Sequence, residues 1–405
     1  MEQDKSPDGS AATQVWRVPF FVPITIAVLL AMVAEAMSGS YMALLAVQKA
    51  KMSPLELSAF LTVPAATGLA VTTAFGHLHD RNPAIWPLLL SLVSKVIGLA
   101  LCAYVTSVWL LVLIAGVLFG LSAASFALLF AVAKAHLDKV GGATVSRGMA
   151  VLRLIASLSW TIGPAIGALL ISTNGFEGVY LGAATLAALS LGIVASSRIK
   201  FVGADDEERA RLTAGLMIAV APTALALSAF HTAMFMGSNA MSIVVAEDIG
   251  TQQDVGVLFS LCAGLEVLVM GGFVAWPRLS GKRWMLFVGF ALFALYFVMA
   301  LAWPTMLCLY IGQLPRAAGI GIISIIGMET VQNMLPCRAG TASALFGNTI
   351  SVGFLLSGLG TGTWANSFGY WSLFSLCAWL CVFGLVALLF ASRARSAGSA
   401  LGDDG

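Results

Sequence analysis

The sequence predicts an all-α membrane protein with twelve transmembrane helices in two similar six-helix halves. Composition gives the first observation: 59% of the 405 residues are hydrophobic, 10% are charged, and the mean hydropathy is +0.95. Soluble domains carry roughly 25% charged residues, so an ordinary soluble chain is excluded. The second observation is a series of about twelve apolar runs, and the third is one polar segment that divides them six and six.

Each apolar run has some twenty residues, enough to cross a hydrocarbon core of roughly 30 Å. The predicted spans are 20–46, 56–76, 84–105, 108–133, 148–172, 177–197, 213–238, 254–276, 284–302, 304–327, 339–362 and 369–392. The predicted domains are an N-terminal tail (1–18), a first bundle (19–197), a linker (198–212), a second bundle (213–392) and a C-terminal tail (393–405).

The placement of basic residues predicts the orientation. If both termini are cytoplasmic, sixteen of the 21 Lys and Arg residues lie on the cytoplasmic side, and only Lys49 and Lys51 lie on the other. Such an excess of positive charge is typical of cytoplasmic loops. We therefore expect a multi-pass protein of the bacterial inner membrane with both termini in the cytoplasm.

The two halves resemble each other in sequence. The polar segment Arg198 to Arg211 separates them, and Arg147-Gly148 begins the fifth span much as Arg338-Ala339-Gly340 begins the eleventh. Superposing these two starts places Ser157 opposite Asn348. The pattern indicates a parallel repeat of six spans, as in major facilitators.

The fifth span carries a charge inside an apolar run. In a helix, Arg153, Ser157, Trp160 and Pro164 would share one stripe. A charged side chain at the bilayer centre costs roughly 2.5 to 3.5 kcal/mol on insertion scales, so this stripe is expected to face a bundle interior or an aqueous cavity. The Gly163-Pro164-x-x-Gly167 step predicts a bend and close helix packing.

Ionisable and amide side chains within other spans point to coupled transport. Glu35 is expected near Arg153, and Glu266 or His231 near Arg316. Burial favours the neutral form of a carboxyl group, whereas a neighbouring cation favours the charged form, so such a pair can bind and release a proton. Glu35 and Glu266 are thus predicted to couple protons; static structural ion pairs are the alternative. Lys95, in the third span, is expected to extend toward a lipid headgroup. The predicted substrate contacts are Arg153, Ser157, Trp160, His231, Gln313, Arg316 and Asn348.

The segment Gly76-His77-Leu78-His79-Asp80-Arg81, drawn as a loop between the second and third spans, resembles the Gly-x-Leu-x-Asp-Arg loop of major facilitators. Gly76, Asp80 and Arg81 are therefore predicted gating residues, together with Gly163, Pro164 and Gly167. A simple positive-inside turn is the alternative. No third ligand accompanies the two histidines, and the six cysteines lack metal-ligand spacing, so we expect no metal or cofactor.

Several motifs together resemble the bacterial sugar efflux transporter family, a branch of the major facilitators. They are Arg153 with 158–164 in the fifth span, Gly264-Leu265-Glu266 with 281–283 in the eighth span and its loop, and 338–340 with 345–351 in the eleventh. The resemblance implies export of sugars or glycosides by alternating access, driven by inward proton flow. It also implies that Arg153, Glu266, Gln313 and Asn348 line the central site.

Two features depart from that family pattern. The fourth span is poor in amide side chains, and Arg316 stands where a neutral polar residue is expected. Export of drugs or other metabolites by the same fold is therefore the alternative, since Gly163-Pro164-x-x-Gly167 also resembles the fifth-helix motif of drug:proton antiporters. A membrane enzyme is disfavoured because no acid/base or metal cluster is visible, and a sensor because the tails are too short for a signalling domain.

The expected partners follow from these predictions. They are a small-molecule substrate, protons and the lipid bilayer. No basic tract suited to nucleic acid is present, and the protein is expected to act as a monomer.

Overall fold

The computed structural model describes residues 15–81, 84–197, 214–276, 278, 282–335 and 339–400, and the regular elements in these ranges are helical. The first half contains α1 (Phe21–Gly39), α2 (Pro54–Arg81), α3 (Trp86–Tyr104) and α4 (Val108–Asp138), which includes a π-helical turn at Ala115–Phe119. One long helical stretch, Ala143–Ser196, then folds at Gly175 into two arms, α5 (143–174) and α6 (176–196).

The second half repeats this arrangement. Its helices are α7 (Ala214–Val244), α8 (Gln252–Ala275), α9 (Trp284–Ala302), α10 (Met306–Met334), α11 (Ala339–Phe368) and α12 (Ser372–Ala400). The twelve predicted spans are thereby confirmed as helices. The predicted linker 198–212 lies outside the described residues.

Two predicted boundaries are wrong. Helix α2 continues through Arg81, so Gly76 to Arg81 is the last part of a helix and not a loop. A single glycine, Gly76, does not break this helix. Helix α12 likewise continues to Ala400, beyond the end predicted at 392.

Glycines make the sharp reversals between paired helices. Gly175, which separates α5 from α6, has φ +62° and ψ −156°, and Gly369, between α11 and α12, has φ +78°. Side chains on L-residues disfavour positive φ, and the Gly175 combination is accessible essentially only to glycine. The same device therefore closes the corresponding hairpin in both halves.

A second structural echo follows α1 and α7. Each leads into a π-helical turn, Leu45–Lys49 in the first half and Val245–Ile249 in the second. The next helix then starts with a reciprocal cap: Ser53 with Glu56 before α2, and Thr251 with Asp254 before α8. Such capping boxes satisfy backbone N–H groups at a helix start, so the internal repeat extends to local hydrogen bonding.

The chain forms two compact units. One comprises residues 1–39 and 66–207, and the other comprises 40–65 and 208–405. The core of the first unit is mainly aliphatic and includes Ile24, Val28, Leu92 and Leu128.

The core of the second unit is aromatic. Phe230 meets Phe293 edge to face at 5.1 Å between ring centroids, and Phe293 meets Phe297 at 5.0 Å. Pairs of this geometry contribute about 0.5 to 1.5 kcal/mol beyond their buried area, so this core also fixes the orientation of the helices that bear it.

Candidate functional site

In the first unit, a glycine brings α5 against α1. A β-carbon at Gly163 would lie 2.8 Å from the carbonyl oxygen of Val33 and 2.8 Å from the β-carbon of Ala36. Both distances are too short for a side chain, so only glycine permits this approach. Pro164 and Gly167 are buried beside it, and α5 continues through Pro164. The contact places the polar stripe of α5 next to the middle of α1.

The members of that stripe differ in accessibility. Arg153 and Trp160 are exposed and Ser157 is half-buried. The indole of Trp160 extends over Gly39, where a β-carbon would lie 4.0 Å from Cη2. The stripe therefore offers a guanidinium, a hydroxyl and an aromatic ring, which is a set of groups that can bind a polar solute with an apolar face.

Glu35 pairs with Lys95 and not with Arg153 as predicted. The distance from Nζ of Lys95 to Oε2 of Glu35 is 2.7 Å; the lysine side chain is 4% exposed, whereas the glutamate side chain is 51% exposed. The expectation that Lys95 extends to a headgroup is also wrong. Lys95 shares the buried side of α3 with Ser91 and Ser94, because an unpaired ammonium in lipid would be costly.

In the second unit, Arg316 lies inside the bundle among neutral groups. One of its terminal nitrogens donates to Oγ of Ser238 at 2.7 Å, and the other to Oε1 of Gln313 at 3.0 Å and to Sδ of Met241 at 3.2 Å. Its guanidinium also lies 5.3 Å from the ring centre of Tyr296, within cation–π range. Arg316 is 3% exposed.

The two side chains that accept from Arg316 through oxygen, Ser238 and Gln313, also donate hydrogen bonds of their own. Ser238 donates to the carbonyl of Met234 at 2.7 Å, and the Gln313 amide donates to the carbonyl of Leu309 at 2.9 Å. Each therefore has only its acceptor side left for the guanidinium. Glu266 lies within electrostatic range of Arg316, but within the described residues it forms no ion pair.

His231 is also buried, at 3% exposure. Thr349 donates its hydroxyl proton to the carbonyl of Phe346 at 2.7 Å, and its oxygen lies 3.2 Å from Nδ1 of His231. Asn348, one residue away, is exposed. In this conformation Asn348 is accessible to a solute, whereas His231, Gln313 and Arg316 are buried.

A close contact joins α2 and α11, which the sequence did not predict. Ser58 on α2 donates to the carbonyl of Leu359 on α11 at 2.8 Å and accepts from the backbone N–H of Thr363 at 3.0 Å. A β-carbon at Gly362 would overlap the carbonyl oxygen of Pro54, and one at Gly358 would lie 2.9 Å from the backbone of Leu61. The small-x-x-x-small spacing of these two glycines is a recognised signal for close packing and could have revealed the contact.

The remaining predicted gating residues are less informative. Gly76 lies in α2, and a β-carbon there would meet no atom within 4 Å. The side chains of Asp80 and Arg81 lie outside the described part of the chain. Their gating role stays a prediction.

Comparison with known proteins gives the family. The sequence profile of the Major Facilitator Superfamily matches residues 24–349. A protein named "Putative sugar efflux transporter" from Deinococcus radiodurans is 34% identical over 389 residues, which cover 93% of this chain and 99% of the relative. Sugar efflux transporter A of Escherichia coli (strain K12) is 27% identical over 90% of this chain and 93% of its own length.

Solved structures show the same fold. A peptide transporter crystallised with sulfate matches 95% of this chain and 98% of its own, with a TM-score of 0.76 at 13% identity. The nucleoside transporter NupG matches 91% of this chain and 98% of its own, with a TM-score of 0.72 at 14% identity. The chain therefore belongs to the Major Facilitator Superfamily and resembles its sugar efflux transporters, which makes it a multi-pass membrane transporter and not an enzyme.

Proposed function

We propose that this protein exports sugars or related small polar solutes from the bacterial cytoplasm by alternating access, in exchange for protons. The relatives named as sugar efflux transporters support the substrate class. The accessible groups of each half suit a hydroxylated solute: Arg153, Ser157 and Trp160 in the first, Asn348 in the second. In this proposal the buried residues His231, Gln313 and Arg316 hold in place the helices that bear these contacts.

The ion pair of Glu35 and Lys95 is the observation that carries proton coupling. The carboxylate is half exposed and can exchange a proton with water, whereas the ammonium is almost fully buried. Protonation of Glu35 removes the counter-charge of Lys95 and leaves a buried cation unpaired, which is costly. The proton therefore changes the relative energy of any two conformations that differ in this pairing. Glu266 is the second candidate carboxylate.

The α2–α11 contact suggests how a change of conformation is controlled. In the proposed topology the start of α2 and the end of α11 lie at the outer face of the inner membrane, with both termini in the cytoplasm. Ser58, Gly358 and Gly362 would then lie near that face, and any conformational change that separates α2 from α11 would break the hydrogen bonds of Ser58. The protein is proposed to do this as a monomer.

Transport into inverted membrane vesicles tests the proposal. Uptake of radiolabelled lactose, glucose and a thiogalactoside is measured with and without an imposed proton gradient, for wild type, Glu35→Gln and Glu266→Gln. We expect gradient-driven accumulation in wild type, a loss of at least tenfold in Glu35→Gln, and retention in Glu266→Gln. The exposed pair of Lys134 and Asp138, 3.1 Å apart, supplies the control Asp138→Asn, which should behave as wild type.

The outcomes separate substrate from coupling. Full gradient dependence in both Glu35→Gln and Glu266→Gln would reject the coupling scheme. Gradient-driven uptake of a drug panel without any sugar uptake would reject the substrate class and leave the fold and the coupling pair intact.

A further inference from the structure

A groove opens near the start of α9 in the second unit. It is lined by Arg283, Leu286 and Phe287 at the start of α9, Thr223 on α7, Thr330 near the end of α10, and Leu388 on α12. Its enclosed volume is about 40 Å³, and the groove is open on one side. Neither the substrate contacts nor the coupling pair belong to it.

Two threonines in this groove are unusual. Thr223 is 1% exposed and Thr330 is 6% exposed, yet within the described ranges neither hydroxyl makes a hydrogen bond to the protein. Threonines inside helices commonly bond to the carbonyl four residues before them, as Thr232 and Thr361 do at 2.7 Å. Because both threonines line the groove, their hydroxyl groups can donate to a ligand that has polar acceptor atoms.

The charge at the mouth of the groove is positive. Arg283 and the adjacent Lys282 are exposed, and the first turn of α9 contains no acidic residue. Glu329, next to Thr330 in sequence, already takes part in an interaction of its own. Trp284 is 55% exposed, as is typical of an aromatic side chain at the membrane interface. The site therefore combines cations, hydroxyl donors and an apolar wall.

We propose that this groove binds an anionic phospholipid of the cytoplasmic leaflet. Arg283 and Lys282 bind the phosphate, Thr223 and Thr330 donate to the ester oxygens below it, and Leu286, Phe287 and Leu388 contact an acyl chain. A phospholipid presents phosphate, ester and hydrocarbon in that order, and basic pockets between transmembrane helices at the cytoplasmic side suit its headgroup. A lipid bound there would link α7, α9, α10 and α12 at their ends.

Thermal unfolding of the purified full-length protein with added lipid tests this site. The probes are phosphatidylglycerol, phosphatidylcholine and inorganic phosphate, and the variants are Arg283→Ala, the double variant Thr223→Val/Thr330→Val, and the charge-matched control Lys139→Ala. We expect phosphatidylglycerol to raise the melting temperature of wild type and Lys139→Ala. Binding measured by native mass spectrometry should weaken at least threefold in both groove variants.

The threonine variant is the critical arm, because it leaves the net charge unchanged and valine preserves the shape. Equal loss in Arg283→Ala and Lys139→Ala, with none in the threonine variant, would show general attraction to an anionic surface and overturn the proposal. Stabilisation by inorganic phosphate equal to that by phosphatidylglycerol would also overturn it, since a free anion would then be the ligand. Because none of these measurements involves transport, the result is independent of the sugar assignment.

Discussion

Among the described residues, each half buries one basic side chain of the Lys/Arg type, but the two cations have different partners. Lys95 in the first half pairs with Glu35, whose carboxylate is half exposed. Arg316 in the second half donates to Ser238, Gln313 and Met241, all of which are neutral. A carboxylate partner can be neutralised by one proton, whereas neutral acceptors cannot.

The comparison assigns different roles to the two halves. The Lys95 pair changes its charge when Glu35 takes up a proton, so it can couple proton binding to conformation. The groups that accept hydrogen bonds from Arg316 carry no charge that a proton could remove, which is the arrangement expected of a group that fixes helix positions. The next three predictions test this contrast through protein stability.

Arg316→Ala should have the largest effect. It removes two hydrogen bonds of a charged donor to oxygen acceptors and a cation–π contact, and it leaves the Gln313 oxygen buried without a partner. We expect a loss of about 2 to 4 kcal/mol of stability, seen as a lower melting temperature in detergent. Arg316→Lys should fall between Ala and wild type because an ammonium lacks the planar fork. An unchanged melting temperature in Arg316→Ala would contradict the structural role.

Glu35→Ala should destabilise less, by about 1 to 3 kcal/mol, because water screens the half-exposed carboxylate. The double variant Glu35→Ala/Lys95→Met should recover most of this loss, since it removes the buried charge together with its partner. Transport by the double variant should lose its dependence on the proton gradient. The exposed control Asp138→Ala should change stability by less than about 0.5 kcal/mol. If the double variant melted no higher than the single one, the pair would not be the source of the effect.

The sequence predicted the helices better than it predicted which side chains meet. Apolar runs of some twenty residues determine the spans because only helices satisfy the backbone in lipid. The partner of Glu35 depends instead on how α3 is rotated about its axis, and an apolar helix gives little indication of this. Ser91, Ser94, Lys95 and Gly98 recur at helical spacing on the buried side of α3, and that polar stripe could have indicated that Lys95 faces inward.

The second unit shows the same limit. The sequence singled out Gln313 and Arg316 as polar residues within spans, and the structure places them together. Their burial could not be predicted, because it depends on Met241 and Tyr296, which look like ordinary core residues in the sequence. The α2–α11 contact depends on two glycines far from Ser58 along the chain, so their spacing indicates close packing but not which helix is the partner.

Thr349→Val should cause the smallest loss of stability of the three substitutions. The hydroxyl oxygen of Thr349 lies 3.2 Å from Nδ1 of His231 and donates to the carbonyl of Phe346, and the imidazole also interacts with the backbone of Leu227. The variant loses both of these neutral hydrogen bonds, but only the one to His231 joins two helices; we expect a loss of about 0.5 to 1.5 kcal/mol, so the melting temperature should fall less than in Arg316→Ala or Glu35→Ala. Gradient-driven transport should persist, because no charge changes. A loss of coupling in Thr349→Val with an unchanged melting temperature would move the proton site toward His231 and remove the contrast between the two halves.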